Sequence, residues 1–279
     1  MSQKNVNTES RDIWSAESYS QTVAPFVPTL TDTVQAWLDP QPSDAILDVG
    51  CGDGILTAKI ATHAKHVVGV DGSNNMIAAF QQKYPHVSSR VVDCRFLGRE
   101  KDITNQTFDK VFSNAAMHWI LRDPTTRLEV MSACFAALKP GGIMVSESGG
   151  LGNVAEVHAA LIGELIHHGV TPERAREVSP WWFPSLESMK ILVEASGFKW
   201  IKGEVELRQT KLTEVEGGGI KGWVRLFGAD FLHELGSDYE REQAIERIVE
   251  VLEGVGRRQH DNGFSVNYIR LRFKAQKPN

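Results

Sequence analysis

The segment Asp48-Val-Gly-Cys-Gly-Asp-Gly54 follows a short apolar run and leads into a helical one, and an acid, Asp71, lies 21 residues after Gly50. Glycines at alternate positions let a strand-to-helix turn take positive φ and let a ligand approach the backbone closely. An acid at that distance, at the end of the next strand, is where ribose hydroxyls are gripped. Taken alone, the glycines serve turn geometry; with Asp71 they read as a cofactor site. A dinucleotide needs a third glycine three positions after the second, for helix packing beside the pyrophosphate, and that position is Ile55. Asp48 and Asp53 flank the turn, and no cation comes before Lys59. A pyrophosphate there meets like charge, at about 3 kcal/mol per pair for ~5 Å and an effective dielectric near 20. S-adenosylmethionine has the opposite need, because its sulfonium and ammonium outweigh its one carboxylate. Asp48 and Asp53 then attract, and the turn amides meet the carboxylate.

The surrounding pattern supplies the elements that hold this turn. From residue 44 to 147, short β-branched runs alternate with helical runs, as in a doubly wound parallel sheet. Strands are expected over 45–49, 66–70, 89–92, 108–113 and 143–147, and helices over 54–63, 75–83 and 125–138. Asp123-Pro124 supplies an N-cap and first-turn pair for the last helix, which Lys139-Pro-Gly-Gly142 closes. Residues 95–105 are too short and polar for a helix. Beyond residue 148 the alternation loosens. A helix over 187–196, ended by Gly197, feeds a strand over 199–208, and the strict alternation of 264–275 predicts a strand with one wet face. Helices over 154–168, 220–235 and 239–252 are expected to cap the carboxyl edge of the sheet. Three parts follow: 1–43 closing over the site, 44–148 binding the cofactor, and 149–279 adding the last strands and the cap.

Composition narrows the partners. A net charge of −5 and no basic block longer than Arg257-Arg258 give no footprint for nucleic acid. Cys51, Cys94 and Cys134 have neither disulfide nor zinc spacing. No apolar run has signal-peptide or membrane-spanning length. The expectation is a cytoplasmic protein with no membrane, nucleic-acid or metal partner, its oligomeric state undetermined.

Asp48-Val-Gly-Cys-Gly-Asp-Gly54, Gly69-Val-Asp71, Val92-Asp93-Cys94 and Phe112-Ser-Asn-Ala-Ala-Met-His-Trp119 resemble, in order and spacing, the class I S-adenosylmethionine-dependent methyltransferases. The stretch Asn114 to Trp119 looks most like the branch containing the trans-aconitate methyltransferases. The resemblance implies a seven-stranded, mostly parallel sheet of order 3-2-1-4-5-7-6 with the seventh strand antiparallel, beneath a helical cap. It also implies residue roles. Gly50 and Gly52 admit the methionine moiety, Asp71 takes both ribose hydroxyls, and Asp93 and the Cys94 amide read the adenine. Met76 flanks the adenine, and Asn114 sits at the methionine end.

Methyl transfer from a sulfonium mainly demands alignment and exclusion of water. A carboxylate acceptor needs no base, whereas a phenol, amine or carbon acid benefits from one. His118, following the fourth strand, is the candidate catalytic base or acceptor-positioning donor. Trp119, Trp181, Trp182, Trp223 and Tyr19 are candidates for the acceptor pocket, with Trp14 beside them in the N-terminal segment. Phe227 and Phe231 read as the buried face of a cap helix, and Arg176 and Arg225 as surface charge. The expected activity is methylation of a small organic molecule, at a carboxylate or hydroxyl oxygen. The alternative is a protein of the same fold that binds S-adenosylmethionine without transferring methyl.

Overall fold

The computed structural model describes Asp12, Trp14, Thr22, Val23, Pro25 and residues 30–279; Tyr19 and the other residues before 30 lie outside the described residues. Seven strands, β1 (Ala45–Val49), β2 (His66–Asp71), β3 (Ser88–Val91), β4 (Phe108–Asn114), β5 (Leu138–Gly149), β6 (Lys199–Lys211) and β7 (Ser265–Gln276), form one sheet of order β3-β2-β1-β4-β5-β7-β6. The strands from β3 to β5 pair in parallel, and β7 runs antiparallel to both β5 and β6. This is the expected architecture.

β1 is a buried central strand because Ile46, Leu47 and Val49 lose all contact with solvent on alternating faces. On one face Ile46, Phe112 and Val145 pack beneath α1 (Asp32–Leu38), α2 (Ile55–Ala61) and α3 (Asn74–Lys83). On the other, Leu47, Met144 and Phe273 meet α4 (Met117–Ile120), α5 (Arg127–Ala137) and, after α6 (Ala155–His167) and α7 (Pro172–Glu177), α8 (Leu186–Ala195). A third apolar cluster joins α6, α7, α9 (Gly219–Phe227), α10 (Ala229–Leu232) and α11 (Asp238–Gly256) into the cap. Side-chain caps set several helix starts. Ser73, Thr171, Ser185 and Ser237 each accept the amide three residues on.

Several local expectations change. The Asp123 carboxylate accepts from Thr125 N and Oγ1 in a turn of its own, so α5 starts later, with Thr126 in the capping position and no side-chain bond. Lys139-Pro-Gly-Gly142 belongs to β5, held by Gly141 N and Lys277 N in bonds across to the C-terminal end of the chain. Residues 94–99 form a 3-10 helix capped by Asp93. The expected helix over 220–235 divides at Gly228. The largest correction concerns β7. Its polar alternation is not a wet face, for Arg270 is 7% and Arg272 1% exposed. Both are held by carboxylates from neighbouring strands.

Candidate active site

The glycine turn closes the carboxyl end of β1. Gly50 N and Cys51 N both donate to Val70 O, at 2.8 and 3.1 Å, tying the turn to β2. A Cβ on Gly50 would lie 2.2 Å from Ala116 Cβ, so this glycine (φ +78°) exists for packing as well as for conformation. Gly52 (φ +55°) differs, because a Cβ there would meet no atom within 4 Å. It faces open space, as a position beside a ligand must. Gly52 N donates at 3.0 Å to Asp71 Oδ2, and Ser73 N at 2.9 Å to Asp71 Oδ1. Burial raises the Asp71 pKa, and these two amide bonds draw it back.

With Gly50, Cys51 and Gly52 amides committed, the turn has fewer donors for a cofactor carboxylate than its sequence implies. Its acids are also committed. Asp53 pairs with Lys83 at 3.0 Å, an ion pair between residues 30 positions apart in the chain. Asp48, 2% exposed, accepts from Thr57 Oγ1 at 2.7 Å. Desolvation lifts its pKa to about 7, the Thr57 bond lowers it, and the Asp71 charge raises it further. The attraction read from Asp48 and Asp53 is therefore weaker than expected, and an acid from the N-terminal segment joins Asp71 instead. Asp12 accepts from Ser73 Oγ at 2.9 Å and from Asn75 N at 3.1 Å, at the start of α3. Sequence reading missed Asp12, which carries no motif.

A pH dependence follows from Asp48. Its folded pKa stands above the ordinary value of 3.8, so its contribution to stability is fully present below about pH 4 and is lost as pH rises toward 7. The slope reaches about 1.4 kcal/mol per pH unit for one proton. Thermal unfolding of the ligand-free chain from pH 4 to 8 should show this decline, and Asp48→Asn should flatten it. An unchanged slope in the variant means that Asp48 titrates normally.

On the adenine side, Met76 is buried on α3. The Cys94 thiol is buried toward Val92 O and Val70 O, and its pKa is raised well above the usual range by desolvation. Asp93, expected to read the adenine, is paired within the chain. Its exposed carboxylate takes Arg95 Nε at 2.9 Å and Nη2 at 2.6 Å. Desolvation pulls its pKa up, but the Arg95 bonds outweigh it and the net shift is downward. At the end of β4, Asn114 Oδ1 is buried and has no hydrogen-bond partner among the described residues. Such an atom costs free energy unless something donates to it.

Ala115 takes φ +58° and turns the chain from β4 into α4, which carries His118. His118 is 8% exposed, and its ring lies 5.6 Å from both Trp119 and Phe183. Desolvation, then the Arg270 charge, holds its pKa well below the ordinary imidazole value. Gly149 N donates to its Nδ1 at 3.3 Å. A neutral imidazole that accepts at Nδ1 carries its proton on Nε2. His118 thus offers an N–H to a ligand and no lone pair for proton abstraction. Of its two expected roles, the geometry fits the donor and not the base.

Trp119 and Trp181 meet edge-on at 5.6 Å, Trp181 stacks on Phe183 at 5.5 Å, and Trp14 meets Trp119 edge-on at 5.2 Å. Trp223 joins them at 6.0 Å from Trp181 and donates through Nε1 to Tyr268 Oη at 2.6 Å. Phe227 and Phe231 reach the same cluster. Trp182 does not: it packs against the sheet core under the Arg127 guanidinium, 4.1 Å away. Arg176 and Arg225 pair with Glu173 and Glu242 at the surface. His158 was missed. Its Nε2 is buried without a partner among the described residues, between Trp181, Phe183 and Phe231. Among the described residues no group of three or more His, Cys, Asp or Glu could hold a metal ion, and no helix is long and apolar enough to cross a membrane.

Residues 46–142 match the family described as a methyltransferase domain. An uncharacterized methyltransferase of Schizosaccharomyces pombe is 34% identical over 268 residues, covering 95% of this chain and 98% of that protein. Among solved structures, a phosphoethanolamine N-methyltransferase of Haemonchus contortus, in complex with phosphomonomethylethanolamine and S-adenosylhomocysteine, is similar with a TM-score of 0.54 at 21% identity. That likeness covers 95% of this chain and 57% of the other. A SAM-dependent methyltransferase of Methanosarcina mazei gives a TM-score of 0.54 at 14% identity, covering 89% of this chain and 98% of that one.

Proposed function

The chain belongs to the class I S-adenosylmethionine-dependent methyltransferases, and we propose that it methylates an oxygen of a small organic molecule held between the carboxyl edge of the sheet and the aromatic cap. S-adenosylmethionine is its cofactor, and the residues present fit it. Gly52 faces open space, Asp71 stands at the end of β2, and Asn114 Oδ1 lacks a donor. In this reading Asp71 takes the ribose hydroxyls and Met76 flanks the adenine. Asn114 Oδ1 accepts from the methionyl ammonium, which satisfies an otherwise orphaned atom. Asp12 and Trp14 accept hydrogen bonds from Ser73 and Asn75 at the start of α3, two and four residues after Asp71.

When bound, the cofactor supplies a methyl group on a good leaving centre, so the protein adds alignment and a dry cavity. The observation that carries the oxygen assignment is the state of His118. A buried, neutral ring whose Nδ1 is already taken supplies a proton donor and no base. That suits an acceptor oxygen that is ionised in solution, a carboxylate above all, since it needs no deprotonation. His118 Nε2–H holds one acceptor oxygen, and Trp119, Trp181 and Phe183 exclude water around it.

Turnover to S-adenosylhomocysteine across a panel of small organic acids, alcohols, phenols and amines tests this. Acids should react best, and a panel in which only amines react overturns it. The rate with an acid should stay level from pH 6 to 8, because His118 does not titrate there. His118→Ala should raise the acceptor KM by roughly 10- to 100-fold, the worth of one hydrogen bond to a charged group, while cofactor affinity holds. His118→Gln, which keeps an N–H, should recover most of that loss. A rising limb near pH 6 to 7 that His118→Gln abolishes would restore the base.

A further inference from the structure

Beside Asn114 lies a buried charge cluster that the cofactor-binding residues leave unused. Glu147, on β5 and in register with Asn114, is 2% exposed and takes Arg208 Nη1 at 3.2 Å, Arg270 Nε at 3.0 Å and Arg272 Nε. The three guanidinium groups are not equivalent. Arg272 places its Nη groups on Glu204 and Glu206, and Arg208 uses its own on Leu30 O, Glu147 and Glu206. Arg270 differs: its side chain is 8% exposed, yet its Nη1 and Nη2 hydrogen-bond to no described residue. The side chain is thus largely buried while its terminal N–H edge stays open to the space beside it, where a ligand or water can meet it.

Arg270 lines a cavity of about 30 Å³ together with Leu30, Asn114, Glu147, Arg208, Thr210 and Tyr268. A water needs roughly 10–15 Å³ by this measure, so the space takes about two water-sized oxygens, the size of a carboxylate head. Charge favours an anion. Arg208 and Arg272 meet Glu147, Glu204 and Glu206 in direct contact, whereas Arg270 meets Glu147 alone and through its Nε, so its Nη edge is the one left for an anion. His118 lies near enough to feel the Arg270 charge, and Gly149, whose amide binds its ring, is the register partner of Arg270.

We infer that Arg270, oriented through its Nε by Glu147, clamps a carboxylate of the methyl acceptor through both Nη groups. The acceptor is thereby a small organic acid, bound with its carboxylate toward the sheet and its apolar part among the cap aromatics. A fork of two parallel N–H donors matches the two oxygens of a carboxylate. The methionyl carboxylate of the cofactor has the same chemistry, but position favours the acceptor. Asn114, assigned to the methionyl end, lines one side of the cavity, but Arg270 enters from β7, two strands beyond β4 and about 10 Å away at a strand spacing near 4.8 Å, on the side away from β1 and β2.

The clamp rests on the proposed methyltransferase site, and one titration series separates the two. The full chain, saturated with S-adenosylhomocysteine, is titrated calorimetrically with benzoate and glutarate and with the neutral benzamide and glutaramide. The acids should bind at least about 10-fold more tightly than the amides. Arg270→Gln should remove that preference, Arg270→Lys should keep part of it, and S-adenosylhomocysteine affinity should hold in both. Equal binding of acids and amides by the unaltered chain overturns the clamp while leaving the methyltransferase site standing, and this arm requires no variant to fold. Loss of S-adenosylhomocysteine affinity in Arg270→Gln, with the acid preference intact, overturns it by giving the fork to the cofactor. A chain that binds no S-adenosylhomocysteine overturns the site and the clamp together.

Discussion

S-adenosylmethionine should bind Asp71→Ala about 100- to 10,000-fold more weakly than the unaltered chain. The expectation follows from two ribose hydroxyls donating to one carboxylate, each bond to a charged acceptor being worth roughly 1.5–3 kcal/mol, with tenfold in affinity for every 1.4 kcal/mol. Asp71 also does structural work, since its two oxygens receive Gly52 N and Ser73 N. Alanine therefore frees the turn as well as the ligand. Asp71→Asn keeps an oxygen for one amide and should lose less in melting temperature than alanine, yet still bind cofactor at least about tenfold more weakly. Calorimetric affinity and thermal unfolding, measured on both variants, separate the roles. A fall in melting temperature with affinity within threefold of the parent would make Asp71 a fastener of the turn and nothing more.

The cofactor side of this protein was legible because its signals are local. Alternate glycines after Ile46-Leu-Asp-Val49, and an acid ending the next strand, fix a turn whatever packs around it. What the sequence hid depends on distant partners. Asp53 and Lys83 stand 30 residues apart and meet only when α3 folds back against the turn. Asp93 has a nearer partner in Arg95, two residues on, which shares the carboxylate expected to read the adenine. Tyr268, Arg270 and Arg272 alternate in β7 as they would beside water, and alternation has the same period whether the polar face is wet or paired with Glu147, Glu204 and Glu206. The donor state of His118 was equally hidden, because it is set by the amide of Gly149 on another strand.

Glu147→Gln should destabilise the folded chain by about 3–5 kcal/mol at pH 7, the cost of removing one partner from a buried ion pair. Glu147 is the shared acceptor of Arg208, Arg270 and Arg272. Glutamine offers one oxygen and no charge, so guanidinium groups that burial has stripped of water lose their nearest anion. The surrounding charges also fix the sign of the pH dependence. Desolvation raises the Glu147 pKa, but Arg270, Arg208 and Arg272 together bring it below the ordinary 4.5. Its contribution is therefore present above about pH 4.5 and is lost as pH falls through the folded value. Denaturant unfolding at pH 7 and at pH 3 should show the gap between parent and variant narrowing in acid. A cost under 1 kcal/mol at pH 7 would mean that water or Glu206 replaces Glu147 around the arginines. Arg270 would then keep an orienting partner, and the acid preference expected of the site should survive in Glu147→Gln; a clamp oriented by Glu147 itself requires instead that stability and acid preference fall together.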